Sequence, residues 1–195
     1  SLPLHDKLAI AACCELIHNA SLIHDDIQDK DNLRRGIPAL WVRYGKDQAV
    51  CIGDLMLSAA YMALTKITSH PENIMSLVAA VHKATASLIG GQCMDLAYTA
   101  QTDYSLSDYE RAVEDKAGAL LTLPHQLPFL LTGQKHSLEI ARKATLSFGT
   151  GYQMIDDIDD FHLDMARSEN RFNAVSIAMA CENLSDKQAL VTVIH

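Results

Sequence analysis

Long stretches of this chain mix apolar residues with good helix formers and run without a breaker. Five prolines (Pro3, Pro38, Pro71, Pro124 and Pro128) and nine glycines are all the punctuation in 195 residues. Intervals of that length suit helices rather than many short strands. The pattern predicts helices over residues 4–29, 46–68, 72–101, 106–132 and 136–164, and a further one from 171 to the end. The class is therefore all-α. Ser69-His70-Pro71-Glu72 has the form of a helix start with proline in the first turn. Ser105-Leu106-Ser107-Asp108-Tyr109-Glu110 offers an N-cap with a capping-box partner. Pro124 and Pro128 are expected to kink or interrupt the helix predicted over 106–132.

Two helices carry the same acidic pattern. Asp25-Asp26-Ile27-Gln28-Asp29 and Asp156-Asp157-Ile158-Asp159-Asp160 are both DDxxD boxes. The first and fifth residues of such a box lie one helical turn apart on one face, so each box aims two or three carboxylates at one point. A single acidic run on a helix is ordinarily a solvated face. Here both boxes emerge from largely apolar helix, Leu16 to His24 before the first and Phe148 to Ile155 before the second. Acid clusters that end buried stretches need a compensating charge. Oxygen-only ligands suit a hard divalent cation, and Mg2+ favours a few carboxylates together with substrate phosphate oxygens. Two such patches facing each other in a helical bundle would grip a diphosphate through bridging metal.

Arg34-Arg35-Gly36 follows the first box after a short polar turn, and Pro38 comes next, so the pair is expected on a loop. Guanidinium forks match phosphate oxygens in a bidentate way. Beside a DDxxD box that role outweighs the plainer one of an exposed basic pair neutralised by Asp29 or Asp31.

Composition narrows the picture. A 49% hydrophobic content over this length supports one domain, residues 1–195, with a sizeable core. A net charge of −8 and a pI near 5.5 offer no basic stripe for nucleic acid. Cys13-Cys14, Cys51, Cys93 and Cys181 form neither CxxC spacing nor an even disulfide framework, and read as reduced core thiols in a cytoplasmic protein. Glu15, Asp54, Lys66 and Asp95 interrupt the apolar runs, so no membrane span of roughly 20 residues is expected. No secretory signal is visible, and a start at Ser1 suggests a fragment of a longer chain. His18, His24 and His125 lie in apolar surroundings and are expected as hydrogen-bonded core residues, with no His-x-x-x-His pair for zinc.

With the boxes in place, the chain resembles the trans-isoprenyl diphosphate synthases, or polyprenyl synthetases. Glu15 to Asp29 followed by Arg34-Arg35-Gly36-Ile37-Pro38 is similar to that family's first aspartate-rich motif and arginine pair. Gly53-Asp54 resembles its "GD" helix start, Gly90 to Leu96 its "GQxxDL", and Gln153 to Asp160 its second aspartate-rich motif. The resemblance covers residues 8 to 164. It implies an isoprenoid synthase-like helical bundle around a central hydrophobic cavity, lacking the family's N-terminal helices, and a homodimer. It also implies head-to-tail condensation of an allylic diphosphate with isopentenyl diphosphate. By the same resemblance Mg2+ is held by Asp25, Asp29 and Asp156, with Asp26, Asp157 and Asp160 supporting those ligands or holding metal-bound water, and Asp160 counted among the metal ligands. Arg34 and Lys116 would bind the allylic diphosphate and Arg35 the isopentenyl diphosphate, while Gln92, Asp95 and Gln153 line or brace the reactive centre.

The chain departs from the family in three places. No Gly-Gly-Lys-type segment precedes Leu8, no lysine follows the second box between Asp164 and Ser176, and Ala117 follows Lys116 where threonine is common. Arg167 or Arg171 would then carry more of the diphosphate binding. Two other readings stay open: a non-catalytic regulatory subunit of a prenyl synthase, and a class I terpene cyclase, which generally carries an NSE/DTE-type second motif instead. Helical spacing puts Ser21 and Ala20, with Ile17 and Leu16 a turn deeper, on the tunnel side of the first box. In the family such positions cap the product when bulky, so without an aromatic plug there the resemblance implies a geranylgeranyl or longer product.

Overall fold

Ile10, Cys13, Ile17, Ala20 and Ile27 recur at steps that sum threes and fours, which gives the first helix, α1 (Leu4–Gln28), one continuous buried edge. That edge packs along α3 (Lys46–Leu64), whose own buried positions are Ala49, Gly53, Ala60 and Leu64. On the α3 side three of the four buried positions are alanine or glycine. At one end the fully buried Asp6 accepts backbone N–H bonds from Thr68 (3.0 Å) and Ser69 (3.1 Å) and a bond from the Ser69 hydroxyl. Burial opposes its charge, but these donors and His5 hold the carboxyl below the ordinary range. At the other end the His24 ring lies over Gly53, where a Cβ would sit 2.2 Å from Nε2. Glycine there makes room for the histidine that precedes the first acidic box.

The structure is a computed structural model that describes residues 2–97, 105–166 and 173–182, without the side chains of Ala117, Lys135, His136, Asp160 and residues 162–166 and 180–182. Between α1 and α3 lie a two-stranded antiparallel pair, β1 (Leu33–Arg34) and β2 (Ile37–Pro38), and the short α2 (Leu40–Tyr44). A 3-10 turn over Pro71–Asn73 leads into α4 (Ile74–Ala97). After it come α5 (Leu106–Val113), a π-helical turn (Glu114–Gly118), α6 (Ala119–Leu131), α7 (Lys135–Ala166) and α8 (Ala174–Glu182). Among the described residues the fold is all-α apart from the hairpin. Contacts divide it into two compact units, residues 1–83 with 123–140 and residues 84–122 with 141–195. In the second unit, Tyr109, Val113, Ala174 and Ile177 form one buried cluster and Phe161, Val175 and Ala178 another. Each of the larger side chains contributes about 1.5–3 kcal/mol on burial.

Several expectations are corrected. The helix predicted over 106–132 breaks at Glu114–Gly118 rather than at a proline, and α6 runs through both Pro124 and Pro128. Residues 33–38 form a hairpin rather than an open loop. Cys13 is buried and Cys14 half-buried, but Cys51 and Cys93 are exposed. Burial pushes the Cys13 thiol up to about 12 and the Cys14 thiol up to about 11. His125 is exposed rather than in the core. One helical stretch, Pro71–Ala97, is long and apolar enough to cross a membrane, because Lys83 is the only charge between Glu72 and Asp95. Core helices of soluble bundles meet the same test. Ala20 and Ile17, expected beside a tunnel, are fully buried, in phase with Asp6 and His24 on the edge that meets α3.

Candidate active site

The first box sits where α1 ends. Asp29 is the C-cap, Lys30 turns left-handed at φ 57°, and the Asp31 N–H returns to the Asp26 carbonyl at 3.0 Å. Carboxylates at a helix C-terminus meet the negative end of the helix dipole as well as one another, so this corner demands positive charge. The hairpin supplies some of it. Arg35 (φ 53°) and Gly36 (φ 79°) form its two-residue turn, with both residues in the left-handed region as a tight hairpin requires. The turn swings Arg34 back so that Nε donates to Asp26 Oδ1 at 2.8 Å, and a second guanidinium nitrogen forms an ion pair with the same oxygen. Asp26 is buried, and its bond raises the Arg34 guanidinium above its usual value. Trp41 Nε1 donates to the Asp31 carbonyl at 2.8 Å and pins the chain beyond the box. Asp25 and Asp29 are half-buried and Arg35 is exposed.

The second box lies within α7 and is anchored differently. Asp157 is buried; Tyr109 Oη donates to its Oδ2 at 2.6 Å, the Ala174 N–H to the same oxygen at 2.9 Å, and Gln153 Nε2 to Oδ1 at 2.9 Å. Burial, then the adjoining Asp157 charge, push the Tyr109 phenol far above its ordinary value, so it stays a neutral donor. Asp156 is half-buried, and the Asp160 side chain lies outside the described residues, as do Arg167 and Arg171.

Lys116 stands on the π-helical turn and donates to Asp95 Oδ2 on α4 at 2.7 Å. π-Turns inside helices concentrate at functional sites. The turn is wedged against Gly91, where a Cβ would meet the Ala112 carbonyl and the Lys116 N–H at 2.7 Å each. Gly91, Asp95, Tyr109, Lys116 and Gln153 share a cavity of about 50 Å³, room for a water or two. The second unit thus brings together Asp95, Lys116, Gln153 and Asp157, and the first unit Asp26 and Arg34 beside Asp25 and Asp29. Gln92 is half-buried on α4 and is not among the residues lining this cavity. No local signal in the sequence marks Tyr109 or Asn173 as a partner of the second box.

Among the described residues no three carboxylate, imidazole or thiolate groups converge on one point. Each box offers carboxylate oxygens alone, the donor chemistry that suits a hard cation completing its shell with phosphate oxygens and water.

These helices, boxes and basic partners define an isoprenoid synthase fold. The chain belongs to the polyprenyl synthetase family, whose model matches residues 3–173. It is 32% identical over 167 residues to the geranylgeranyl diphosphate synthase of Methanosarcina mazei, covering 85% of this chain and 50% of that protein. It is 34% identical over 158 residues to a (2E,6E)-farnesyl diphosphate synthase of Mycobacterium bovis, covering 79% and 43%. The chain therefore spans about half the length of the curated relatives it matches. The geranylgeranyl pyrophosphate synthetase structure from the archaeon Geoglobus acetivorans superposes with a TM-score of 0.82 at 23% identity, over 98% of this chain and 72% of that one. This likeness is one of fold.

Proposed function

We propose that the chain acts as an Mg2+-dependent trans-prenyltransferase, joining isopentenyl diphosphate to an allylic diphosphate. The product is a medium- or long-chain polyprenyl diphosphate, geranylgeranyl or longer, and pyrophosphate is released. The observation that carries this reading is the pair of DDxxD boxes, in each of which the second aspartate is buried and held by a protein donor, Arg34 for Asp26 and Tyr109 for Asp157. Such anchoring fixes a box before any ligand arrives, which favours a site built for positioning and charge stabilisation. Family membership and the names of the relatives support the same reading.

In this reading Asp25 and Asp29 of one box and Asp156 and Asp160 of the other hold Mg2+, which when bound offsets the charge of the leaving pyrophosphate. Arg34 and Lys116 grip the allylic diphosphate while its C–O bond breaks, the electron pair leaving with pyrophosphate. Arg35 holds isopentenyl diphosphate, whose double bond attacks the allylic cation to form the new C–C bond. A proton beside the resulting cation passes to pyrophosphate and restores a double bond. Gln92, Asp95 and Gln153 brace the centre, and apolar helix faces keep water from the cation. The protein works as a soluble cytoplasmic homodimer.

The test is turnover of an allylic diphosphate with labelled isopentenyl diphosphate and Mg2+, read as pyrophosphate release and extended product. Asp25→Ala and Asp156→Ala should each lower it by about 100-fold or more while helical circular dichroism stays intact. Near-normal turnover in either variant would overturn the metal assignment.

A further inference from the structure

The buried carboxylate of Asp157 collects donors from three separate stretches of chain. Tyr109 reaches it from α5, Gln153 from one turn earlier on α7, and the Ala174 N–H from the first turn of α8. Asn173 adds a second clamp, giving its Nδ2 proton to the Asp157 carbonyl at 2.8 Å while its Oδ1 accepts from the Val175 N–H at 2.9 Å. Tyr109 and Asn173 are each only 1% exposed. A buried carboxylate is tolerated only when its oxygens are satisfied, so this set of donors dictates where the Asp157 side chain points.

We infer that Tyr109 is a positioning residue for the second acidic box, acting through Asp157 to fix the rotation of α7 and hence the direction in which Asp156 is presented. The inference rests on the proposed reading of the boxes as cation sites. Adjacent helical residues point about 100° apart, so a side chain pinned at 157 sets the bearing of 156. The tyrosine ring packs with Val113, Ala174 and Ile177, a contact that phenylalanine keeps. Tyr109→Phe therefore deletes one donor to Asp157 and leaves the packing in place. Arg34 does the equivalent for Asp26 in the first box, with a charged donor at a helix end instead of a neutral one in a core.

The experiment titrates the purified chain with Mn2+ in place of Mg2+ and counts bound metal by electron paramagnetic resonance, for wild type, Tyr109→Phe, Asp157→Asn and the double variant. Loss of a partner one shell out from a ligand weakens metal binding by about 10- to 100-fold, so Tyr109→Phe should weaken one class of site by about 10-fold. If the hydroxyl acts through Asp157, the double variant binds no more weakly than Asp157→Asn alone, within about twofold. A merely structural tyrosine would give independent losses that multiply. Unchanged affinity in Tyr109→Phe, multiplying losses, or a wild type that binds no Mn2+ would each overturn the inference. Coupled Mn2+ binding without turnover of the two diphosphates would support it and refute the prenyltransferase reading instead.

Discussion

Gly90 and Gly91 are neighbours on α4, and the structure assigns them opposite responses to the same substitution. A Cβ at Gly90 meets nothing within 4 Å, whereas one at Gly91 would lie 2.7 Å from the Ala112 carbonyl, 2.7 Å from the Lys116 nitrogen and 2.9 Å from the Lys116 Cβ. Two of those three atoms are backbone, so no side chain can swing aside and the helices must part. Alanine in place of a helical glycine gains about 0.8–1.0 kcal/mol of propensity at either site. Overpacking a closed contact costs about 1–3 kcal/mol. Gly90→Ala should thus stabilise by about 1 kcal/mol, and Gly91→Ala should range from neutral to about 2 kcal/mol destabilising once propensity is subtracted. The propensity gain cancels in the difference between the two variants, leaving the clash alone, about 1–3 kcal/mol. Urea melts followed by circular dichroism measure it; on heating, each kcal/mol corresponds to about 2–4 °C at this chain length. Gly91→Ala should also shift the π-turn that carries Lys116 away from Asp95 and so, under the proposed function, weaken binding of an allylic diphosphate. Equal stabilisation by both substitutions would refute the close approach.

Two further outcomes follow from α1. The folded pKa of Asp6 lies below its unfolded value near 3.8, so its stabilisation is complete above that value and is lost as pH falls through the lower folded one. In urea melts the stability gap between wild type and Asp6→Asn should narrow as pH drops from about 5 to about 3; a gap independent of pH would show that the carboxylate charge is irrelevant. Ala20 is fully buried in the α1–α3 edge, whereas Ser21 is half-buried one turn before Asp25 on the same side of the helix. If the proposed function holds, Ser21→Phe should shorten the prenyl product with little loss of stability, while Ala20→Phe should destabilise by about 1–3 kcal/mol or more. Product chromatography with Ser21→Phe unchanged, or Ala20→Phe as stable as wild type, would sink this assignment.

What the sequence makes legible here is what lies within a helical turn or two. The DDxxD boxes are contiguous, and their helix spacing is enough to place carboxylates on one face. The capping box at Ser105 forms as expected because it joins residues three apart, Ser105 and Asp108, a distance that chain connectivity imposes whatever the fold. The span of α1 is likewise local, because one edge from Ile10 to Ile27 is apolar at every step except His24. The hairpin at Arg34 is not legible because Arg35-Gly36 lacks the asparagine or aspartate that ordinarily announces a left-handed turn. The break at Glu114–Gly118 is not legible either, because nothing in that stretch is a helix breaker except Gly118. Its cause is tertiary: Gly91 admits the backbone of Ala112 and Lys116 at contact distance.

In the sequence only likeness to the family separates the aspartates of each box, whereas in the structure burial separates them. Asp26 and Asp157 are second in their boxes and are both withdrawn from solvent, yet their partners have nothing in common that a pattern could detect. One is an arginine eight residues on, delivered by a two-residue turn. The other is a tyrosine 48 residues back, delivered by the packing of α5 against α8. A repeated acidic motif therefore needs only one requirement met twice, a donor that satisfies the second carboxylate, and unrelated parts of the chain meet it. Because the donors differ in charge, their loss should differ in kind. Removing Arg34 strips positive charge from a helix end that needs it, whereas removing the Tyr109 hydroxyl leaves the charge balance untouched and alters direction alone.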